Sequence, residues 1–282
     1  MKKNVQLNIK TFNIIMKIGV CIRAKDEQKI ISTWVKYYIQ LGFDKIVIYD
    51  NMSNPSIENT LRENNMFDQS KVEIIIDSIC HSNQSNIYQE CINNNKDLDW
   101  LLLCDADEFL YIKDWNLKEF LNQYSEDTST ILINWVVFGT SKLSNYDNNK
   151  TVFEQFTKRE SYNHFWNIFV KSFIRPKLIE TFGNVHITIN NNYKVKNVYN
   201  EECIKYSNDK CDYKDNKLSN KTPMVIIHYM TLDLESMLKK HNRNINGCLL
   251  EKECNKYSLE WYKSNTFGFK DDCLDERMLK FI

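Results

Sequence analysis

The sequence has no net charge and no long apolar run. Its 37 lysines and arginines balance 37 aspartates and glutamates over 282 residues, which argues against a protein that coats phosphate backbones. No apolar stretch approaches the roughly 20 residues that a membrane-spanning helix needs. Glycine and proline are scarce, at 6 and 3 residues, and neither repeats nor a clear linker divide the chain. With 43% hydrophobic and 13% aromatic residues, bulk disorder is excluded, so we expect one globular domain.

The nine cysteines lack the spacing of a disulfide framework or a zinc site. Their number is odd, whereas a disulfide framework usually has an even number. No two of them have the CxxC spacing that zinc sites often show. Cys21, Cys80 and Cys104 lie in or beside apolar runs that are typical of strands. We therefore predict reduced thiols in the core. The first residues also lack the apolar segment of a secretory signal.

The first hundred residues alternate between short apolar runs and segments with helical spacing. Residues 28–42, for example, place Ile31, Trp34, Val35 and Tyr38 on one helical face before Gly42. The predicted strands are 17–22, 45–49, 72–76 and 100–104, and the predicted helices between them are 28–42, 56–64 and 86–95. This alternation is typical of βαβ units, with a parallel sheet covered by helices on both faces. Such sheets bind ligands at the carboxyl ends of their strands.

The second half of the chain is less regular. Strands are predicted at 130–137, 167–174, 193–198 and 224–229, and helical spacing returns from residue 233. We therefore predict an α/β fold with a mixed, mainly parallel sheet flanked by helices and an irregular α+β C-terminal half.

An acidic cluster follows the fourth predicted strand. Asp105, Ala106, Asp107 and Glu108 come directly after the apolar run 100–104. Two carboxylates one residue apart at the end of a buried strand offer hard oxygen ligands for Mg²⁺ or Mn²⁺. The alternative is a solvated acidic turn, but the position at a strand end favours metal binding.

Two further polar clusters end the first two strands. Residues 23–27 bring Arg23 and Lys25, which could hold a phosphate or a base, and Asp26 or Glu27 could instead cap the following helix. Residues 50–53 begin with Asp50, which suits a nucleobase or ribose but is also a good turn former.

These clusters, taken in order, resemble the glycosyltransferases of family 92 and related family 2 enzymes. The resemblance covers about residues 17–245. It rests on residues 23–27, 34–38, 41–44 and 48–53, then Gln84, Cys91, Trp100, 105–109, 134–135, 138–141, 171–176, His186 and 227–229. The segment 230–235 departs from the family pattern and Gly247 is displaced, which weakens the expectation for acceptor contacts there.

The resemblance implies a GT-A fold, a nucleotide-sugar donor (UDP in first place) and a divalent ion, Mn²⁺ or Mg²⁺. The implied metal ligands are Asp105, Asp107 and His228. Asp107 is the direct one, Asp105 is expected to face the ribose or a metal-bound water, and His186 is the rival of His228. The implied nucleotide-binding residues are Arg23, Lys25, Glu27, Asp50, Gln84 and Asp105.

The implied reaction moves a hexose to a hydroxyl of a glycan or other acceptor, with inversion. Inversion needs a carboxylate base, and the candidates are Asp147, Glu154 and Glu160, with Glu108 as a fourth. Glu154 could alternatively pair with Arg159 or Arg175. The predicted acceptor residues are Trp135, Phe138 and Ser141, although an ordinary core position is an equal interpretation of Trp135.

Two other functions remain open at this point. A non-catalytic nucleotide-sugar-binding module would keep the pocket without turnover. An aspartate-dependent phosphatase also uses DxD, but it needs Thr or Ser where this chain has Phe109. We expect one domain at 1–245, with a nucleotide-binding half at about 17–110 and an acceptor half at about 111–245, and a helical extension at 246–282. No nucleic-acid partner is expected. Because the anchor of Golgi relatives is missing, we expect a cytoplasmic microbial or viral enzyme.

Overall fold

A computed structural model describes residues 16–78, 84–114, 116–141, 143–203, 206–207, 210–211, 218–237, 239 and 273–274. Its first half is the predicted alternation of strands and helices. The strands are β1 (Ile18–Ala24), β2 (Lys45–Asp50), β3 (Val72–Ile76) and β4 (Trp100–Leu103), and the helices are α1 (Ile31–Gln40), α2 (Ile57–Glu63) and α3 (Gln84–Asn94). The four strands lie in the order β3-β2-β1-β4 and all their pairings are parallel. The parallel sheet predicted from the sequence is therefore confirmed.

The second half extends this sheet with strands of both directions. It contributes β5 (Glu108–Ile112), β6 (Thr128–Val137), β7 (Lys158–Arg159), β8 (Val170–Ile174), β9 (Lys194–Asn197), β10 (Tyr206–Ser207), β11 (Lys210–Cys211), β12 (Met224–His228) and β13 (Cys273–Leu274), with helices α4 (Leu117–Asn122) and α5 (Val152–Gln155). Beyond β4 the sheet continues β8-β6-β12-β5, and β9 also pairs with β6, whereas β10 with β11 and β7 with β13 form two separate two-stranded sheets. β8 is antiparallel to both its neighbours, and β5 is antiparallel to β12. The mixed, mainly parallel α/β fold is as predicted.

The parallel strands β1, β2 and β4 bury apolar side chains on both faces of the sheet because helices cover both faces. On β4, Leu102 packs in the core cluster that contains Trp34 of α1. Leu101 and Leu103 point the other way, into a cluster with Tyr88 of α3. The neighbours β1 and β2 share this two-sided burial, so the carboxyl ends of three strands are held at one rigid edge.

Helix α1 fixes the position of β5. The indole Nε1 of Trp34 donates to the backbone oxygen of Glu108 at 2.9 Å, and the hydroxyl of Tyr37 donates to that of Leu110 at 2.7 Å. β5 was not predicted from the sequence, because no turn residue separates residues 108–112 from the acidic residues before them. Their pairing with β12 forms only in the tertiary structure.

Several expectations concern residues at the margins of the described chain. Of the predicted helical extension, Cys273 and Leu274 are described, and they form a strand against β7; the rest lies outside the described residues. Cys21, Cys91 and Cys104 are buried free thiols, so reduced core thiols are confirmed for these three, and Cys203 is also buried. In the part of the chain that the structure describes, no helix is long and apolar enough to cross a membrane.

Candidate functional site

The acidic turn 105–107, called the DxD turn below, connects β4 to β5. The backbone N–H of Cys104 still donates to Cys21 of β1, at 3.2 Å, and the chain then turns before Glu108 opens β5. In the antiparallel register, Glu108 lies opposite His228, the last residue of β12. The backbone N–H of Tyr229 donates to the backbone oxygen of Asp107 at 2.9 Å. The turn is thereby fixed to the end of a strand that is far away in sequence.

This register brings Asp107 and His228 together. Nε2 of His228 lies 3.6 Å from Oδ1 of Asp107, and the two side chains are 7% and 9% exposed. Ligands that each lie about 2.1 Å from an ion can be up to about 4.2 Å apart. An ion could therefore bind both atoms, and the residues present fit the divalent ion that the sequence predicts. The rival His186 instead bonds the Val170 oxygen through Nδ1 at 3.0 Å.

Asp105 faces a buried lysine. Nζ of Lys171, on β8, lies 2.5 Å from Oδ2 of Asp105, and the lysine side chain is 0% exposed. Burial alone would raise the pKa of Asp105, but the charge and hydrogen bond of Lys171 outweigh it and lower that pKa to about 2. Burial would likewise lower the pKa of Lys171, and the nearby carboxylates Asp105 and Glu108 raise it instead. Both groups are ionised at neutral pH.

Glu108 is the third member of the cluster that Asp105 and Lys171 form. It is fully buried, its Oε2 lies 3.3 Å from Lys171 Nζ, and the same oxygen accepts the N–H of Asp105 at 2.9 Å. Its other oxygen faces Nδ1 of His228 at 3.9 Å. Burial, as the largest effect, raises the pKa of Glu108. With no exposed surface, Glu108 is out of reach of an acceptor and cannot be the base.

Within the described residues, no three His, Cys, Asp or Glu side chains form a group that could hold a metal ion. Asp107 and His228 are close to each other, while Oδ2 of Asp105 is taken by Lys171. The described residues thus offer two ligands, Asp107 and His228. The remaining positions of an ion would go to water and substrate phosphates, as is usual for Mg²⁺.

The clusters at the ends of β1, β2 and β3 form a second polar group. Nε and Nη2 of Arg23 both lie 2.7 Å from Oδ2 of Asp77. Asn51 donates through Nδ2 to the same oxygen at 3.0 Å. Nζ of Lys25 donates to the backbone oxygen of Asn51 at 3.2 Å. Arg23 and Lys25 therefore lie at the predicted carboxyl edge, held in place by Asp77 and Asn51.

The other predicted nucleotide-binding residues have different surroundings. Asp50 is buried, and its two oxygens accept the N–H groups of Ser53 and Ile57, both at 2.9 Å. The backbone oxygen of Glu27 accepts the first N–H groups of the α1 turn. Gln84 begins α3, and its side chain lies outside the described residues. Their part in nucleotide binding stays a prediction.

A cavity opens beside Asp107. Its volume is about 390 Å³, and it lies between the loop that precedes α1 and the segment that follows β12. Lys29 joins these two walls, because its Nζ donates to Oγ of Ser236 at 2.9 Å and lies 3.6 Å from the buried Asp233. The lining residues are Asp26, Glu27, Gln28, Lys29, Asn54, Asp107, Tyr229, Met230, Thr231, Leu232, Ser236 and Lys239.

The predicted acceptor residues lie on β6 and just after it. The ring of Trp135 is 6% exposed and packs against His228 and Phe169, with centroids 4.3 and 5.3 Å away. Phe138 is fully buried and packs on Tyr229. Ser141, with a positive φ of 50°, ends the segment. Trp135 therefore borders the Asp107–His228 pair, whereas Phe138 is a core residue and has no surface for an acceptor.

The base candidates are spread over the loops after β6. Glu154 is exposed and forms a capping box with Thr151 at the start of α5, which replaces the predicted pairing with Arg159 or Arg175. Asp147 is exposed and accepts the N–H of Asn149. Glu160 is 9% exposed, and its N–H donates to the oxygen of Val137 at 3.3 Å, next to the end of β6.

Two residues of this site were not identified from the sequence. Lys171 carries a charge in the otherwise uncharged strand Val170–Ile174, which is the signal that could have marked it. Asp77 directly follows β3, so the strand-end argument applied to Asp50 and Asp105 would also have found it.

Comparison with known proteins gives a family. Residues 16–252 match the model of glycosyltransferase family 92. No curated protein is significantly similar to the chain.

Several solved structures are distantly similar. Glucosyl-3-phosphoglycerate synthase from Mycobacterium tuberculosis, in complex with Mn²⁺, UDP and glucosyl-3-phosphoglycerate, is 12% identical with a TM-score of 0.30, over 43% of this chain and 44% of that one. S. aureus TarS is 14% identical with a TM-score of 0.40, over 93% of this chain and 77% of the other. HddC from Yersinia pseudotuberculosis is 13% identical with a TM-score of 0.34, over 56% and 69%. The chain spans less than half the length of the mycobacterial enzyme.

Proposed function

The chain belongs to glycosyltransferase family 92 and is an enzyme of that class, and on this premise we propose its donor, cofactor and mechanism. The donor is a UDP-linked hexose, the cofactor is Mn²⁺ or Mg²⁺, and the acceptor is a hydroxyl group of a glycan or glycoconjugate. The reaction inverts the configuration of the transferred sugar. The observation that carries the proposal is the Asp107–His228 pair beside the cavity at the carboxyl edge of the sheet.

The chemistry of the leaving group explains why this pair matters. Glycosyl transfer releases a nucleoside diphosphate, and a bound divalent ion would supply a Lewis acid for its developing charge. Asp107 and His228 would hold that ion, and Asp105 would face the donor. The buried surroundings of both ligands strengthen their interaction with a cation, since there is little water to screen it.

The nucleotide would lie along the ends of β1 to β3. Arg23 and Lys25 bring positive charge there, and Asp77 and Asn51 fix the orientation of these side chains. Glu27 borders the cavity together with Asp107. A net-neutral protein can thus hold an anionic donor, because the compensating charge is local.

We place the catalytic base at Glu160. An inverting transferase needs one carboxylate to take the proton of the acceptor hydroxyl. Glu160 is attached through its N–H to Val137, and Val137 is the register partner of His228. The carboxylates of all three candidates accept local hydrogen bonds, that of Glu160 from the N–H of Ser161. The attachment of Glu160 to the end of β6, beside His228, is what favours it over the exposed Asp147 and Glu154. Trp135, next to His228, would face the sugar-binding side.

The experiment that tests this function is a donor-hydrolysis assay. The purified chain is incubated with a panel of UDP- and GDP-hexoses, with Mn²⁺, with Mg²⁺ or with a chelator, and the released nucleotide is measured. We expect UDP release from at least one UDP-hexose that stops when the chelator is added.

Other outcomes of the assay favour the alternatives. UDP binding without release from any donor supports a binding module. Release of phosphate from a generic phosphomonoester, without any release of UDP or GDP, supports a phosphatase. Either result contradicts the proposed transfer.

A further inference from the structure

Lys171 is a charged residue at the centre of the sheet. It lies on β8, between β4 and β6, and it pairs with Ile133 in the β6 register. Its side chain is 0% exposed. A lysine is almost never fully buried unless it is paired, and burying an ion is costly without good partners. The proposed reaction, as described above, gives this residue no task.

The partners of Lys171 form a closed set of contacts. Its Nζ lies 2.5 Å from Oδ2 of Asp105 and 3.3 Å from Oε2 of Glu108. The same Glu108 oxygen accepts the N–H of Asp105 at 2.9 Å. The lysine therefore joins a carboxylate of the DxD turn to the first residue of β5, and the set fixes the side chain and the backbone of Asp105 together.

This arrangement gives the two aspartates of the turn different environments. Oδ2 of Asp105 is engaged by Lys171, and the Asp105 side chain is 37% exposed. Asp107 instead has its Oδ1 at 3.6 Å from Nε2 of His228. The first aspartate is held by Lys171 and keeps part of its side chain exposed, while the second faces the histidine.

We propose, resting on the function proposed above, that Lys171 is a positioning residue that directs Asp105 to the nucleotide and leaves the divalent ion to Asp107 and His228. The fixed ammonium group replaces the ion as the counter-charge of Asp105. Asp105 then contributes little to ion binding and much to nucleotide binding. Glu108 is the second anchor of Lys171, and it also faces Nδ1 of His228.

A purely structural role would be to balance the charge of two buried carboxylates. A double variant separates the two roles, since Glu108→Gln combined with Lys171→Met removes the ammonium group together with one of the two carboxyl groups that it contacts. The probes are Mn²⁺ alone, followed by electron paramagnetic resonance, and UDP with saturating Mn²⁺, followed by calorimetry. Circular dichroism checks the fold of each variant. Lys194→Met, which removes a lysine paired with Asp127 on the surface, is the matched control.

We expect the double variant to bind UDP about tenfold more weakly than the native protein, the size expected for the loss of one hydrogen bond to a charged group. Its Mn²⁺ affinity should stay within about threefold, a difference of less than about 1 kcal/mol, because Asp107 and His228 are both retained. Lys194→Met should match the native protein in both measurements. Native UDP affinity in a folded double variant would mean that Lys171 only balances charge, and that would overturn the proposal.

A second variant covers the case in which the double variant does not fold. Asp105→Asn leaves Lys171 paired with Glu108 and removes one carboxylate. We expect it, too, to weaken UDP binding about tenfold, as the loss of one charged hydrogen-bonding group would, with little change in Mn²⁺ affinity. A tenfold loss of Mn²⁺ affinity with unchanged UDP binding would make Asp105 an ion ligand and overturn the proposal. A native protein that binds no UDP in the presence of Mn²⁺ would instead overturn the proposed function, and the inference with it.

Discussion

At the scale of single residues, Asp107 and His228 combine a hard oxygen and an imidazole nitrogen in a nearly dry site. Both kinds of atom bind Mn²⁺ well. The backbone around them is fixed by hydrogen bonds from Tyr229 to Asp107 and from Phe138 to His228. Little reorganisation is therefore needed when an ion binds, which favours affinity.

Asp107→Asn should abolish metal-dependent nucleotide release at every Mn²⁺ concentration. The amide keeps the shape of the side chain but removes the negative charge that attracts the ion. Nucleotide release is measured over a Mn²⁺ titration, with Asp97→Asn at the surface as the control. Full activity of Asp107→Asn in this titration would refute the assignment of the site.

His228→Ala should raise the Mn²⁺ concentration needed for half-maximal activity by about tenfold, the lower end of the range for altered metal surroundings. The loss of one ligand weakens the binding of the ion, while the carboxylate of Asp107 remains. His164→Ala, which removes the cap of the short helix Phe165–Ile168, is the control. If the His228→Ala titration overlaps the native one, His228 has a structural role.

At the scale of elements, Asp50 shows how a candidate binding residue can be a structural one. Its carboxylate accepts the N–H of Ser53 and the N–H of Ile57, the first residue of α2. It therefore holds the loop after β2 and the start of that helix. The same residue type suits a ribose, and only the surrounding backbone distinguishes the two roles.

Asp50→Ala should destabilise the protein by about 1–3 kcal/mol for each backbone N–H that it leaves buried without an acceptor. Urea denaturation followed by circular dichroism measures the free energy of unfolding. Asp68→Ala is the control, because Asp68 accepts an N–H from Ser70 in an exposed turn and its loss should hardly move the midpoint. Equal midpoints for Asp50→Ala and native protein would contradict the structural role.

Helix α5 gives a second example at this scale. Glu154 lies in a segment that resembles a recurrent family segment, and the sequence made it a candidate base. In the structure it is the third residue of α5 and closes a capping box with Thr151, and hydrogen bonds from Thr151 lower its pKa. A carboxylate with a lowered pKa is a weaker base, which agrees with the preference for Glu160.

At the scale of the whole molecule, the sheet has a core on each face, and cysteines fill small spaces in both. Cys104 belongs to the core beside α1 and Cys21 to the core beside α3. Burial, as the largest effect, raises the pKa of both thiols. Both thiols therefore stay protonated at neutral pH, and the protonated form is the unreactive one.

Iodoacetamide at pH 8 should leave Cys21, Cys91 and Cys104 unmodified in the native protein and modify all three after unfolding in guanidinium. The reason is burial, which is complete for each of them, together with the raised pKa of Cys21 and Cys104. Peptide mass spectrometry of both samples identifies the labelled positions. If Cys104 in the native protein were labelled as fast as an exposed thiol, this would show that the edge of the sheet near the DxD turn opens.

The sequence by itself determined the βαβ half and the residues at its edge. Hydrophobic period fixes which segments are strands, and a parallel sheet places their carboxyl ends together whatever the details of packing. This is why Arg23, Asp50 and Asp107 could be located from local pattern alone. The family motifs then singled out His228 over an ordinary strand end.

Only the tertiary structure decided what each of these residues contacts. Strand register brings His228 to Asp107, and β8, inserted antiparallel between β4 and β6, brings Lys171 to Asp105. The Asp50 carboxylate accepts two backbone N–H groups, and the Glu154 carboxylate accepts hydrogen bonds from Thr151. Such contacts join residues that are far apart in the chain, and local sequence carries no record of them because they depend on which strands become neighbours. The charge balance of the whole chain is zero, but the folded chain concentrates opposite charges around the DxD turn.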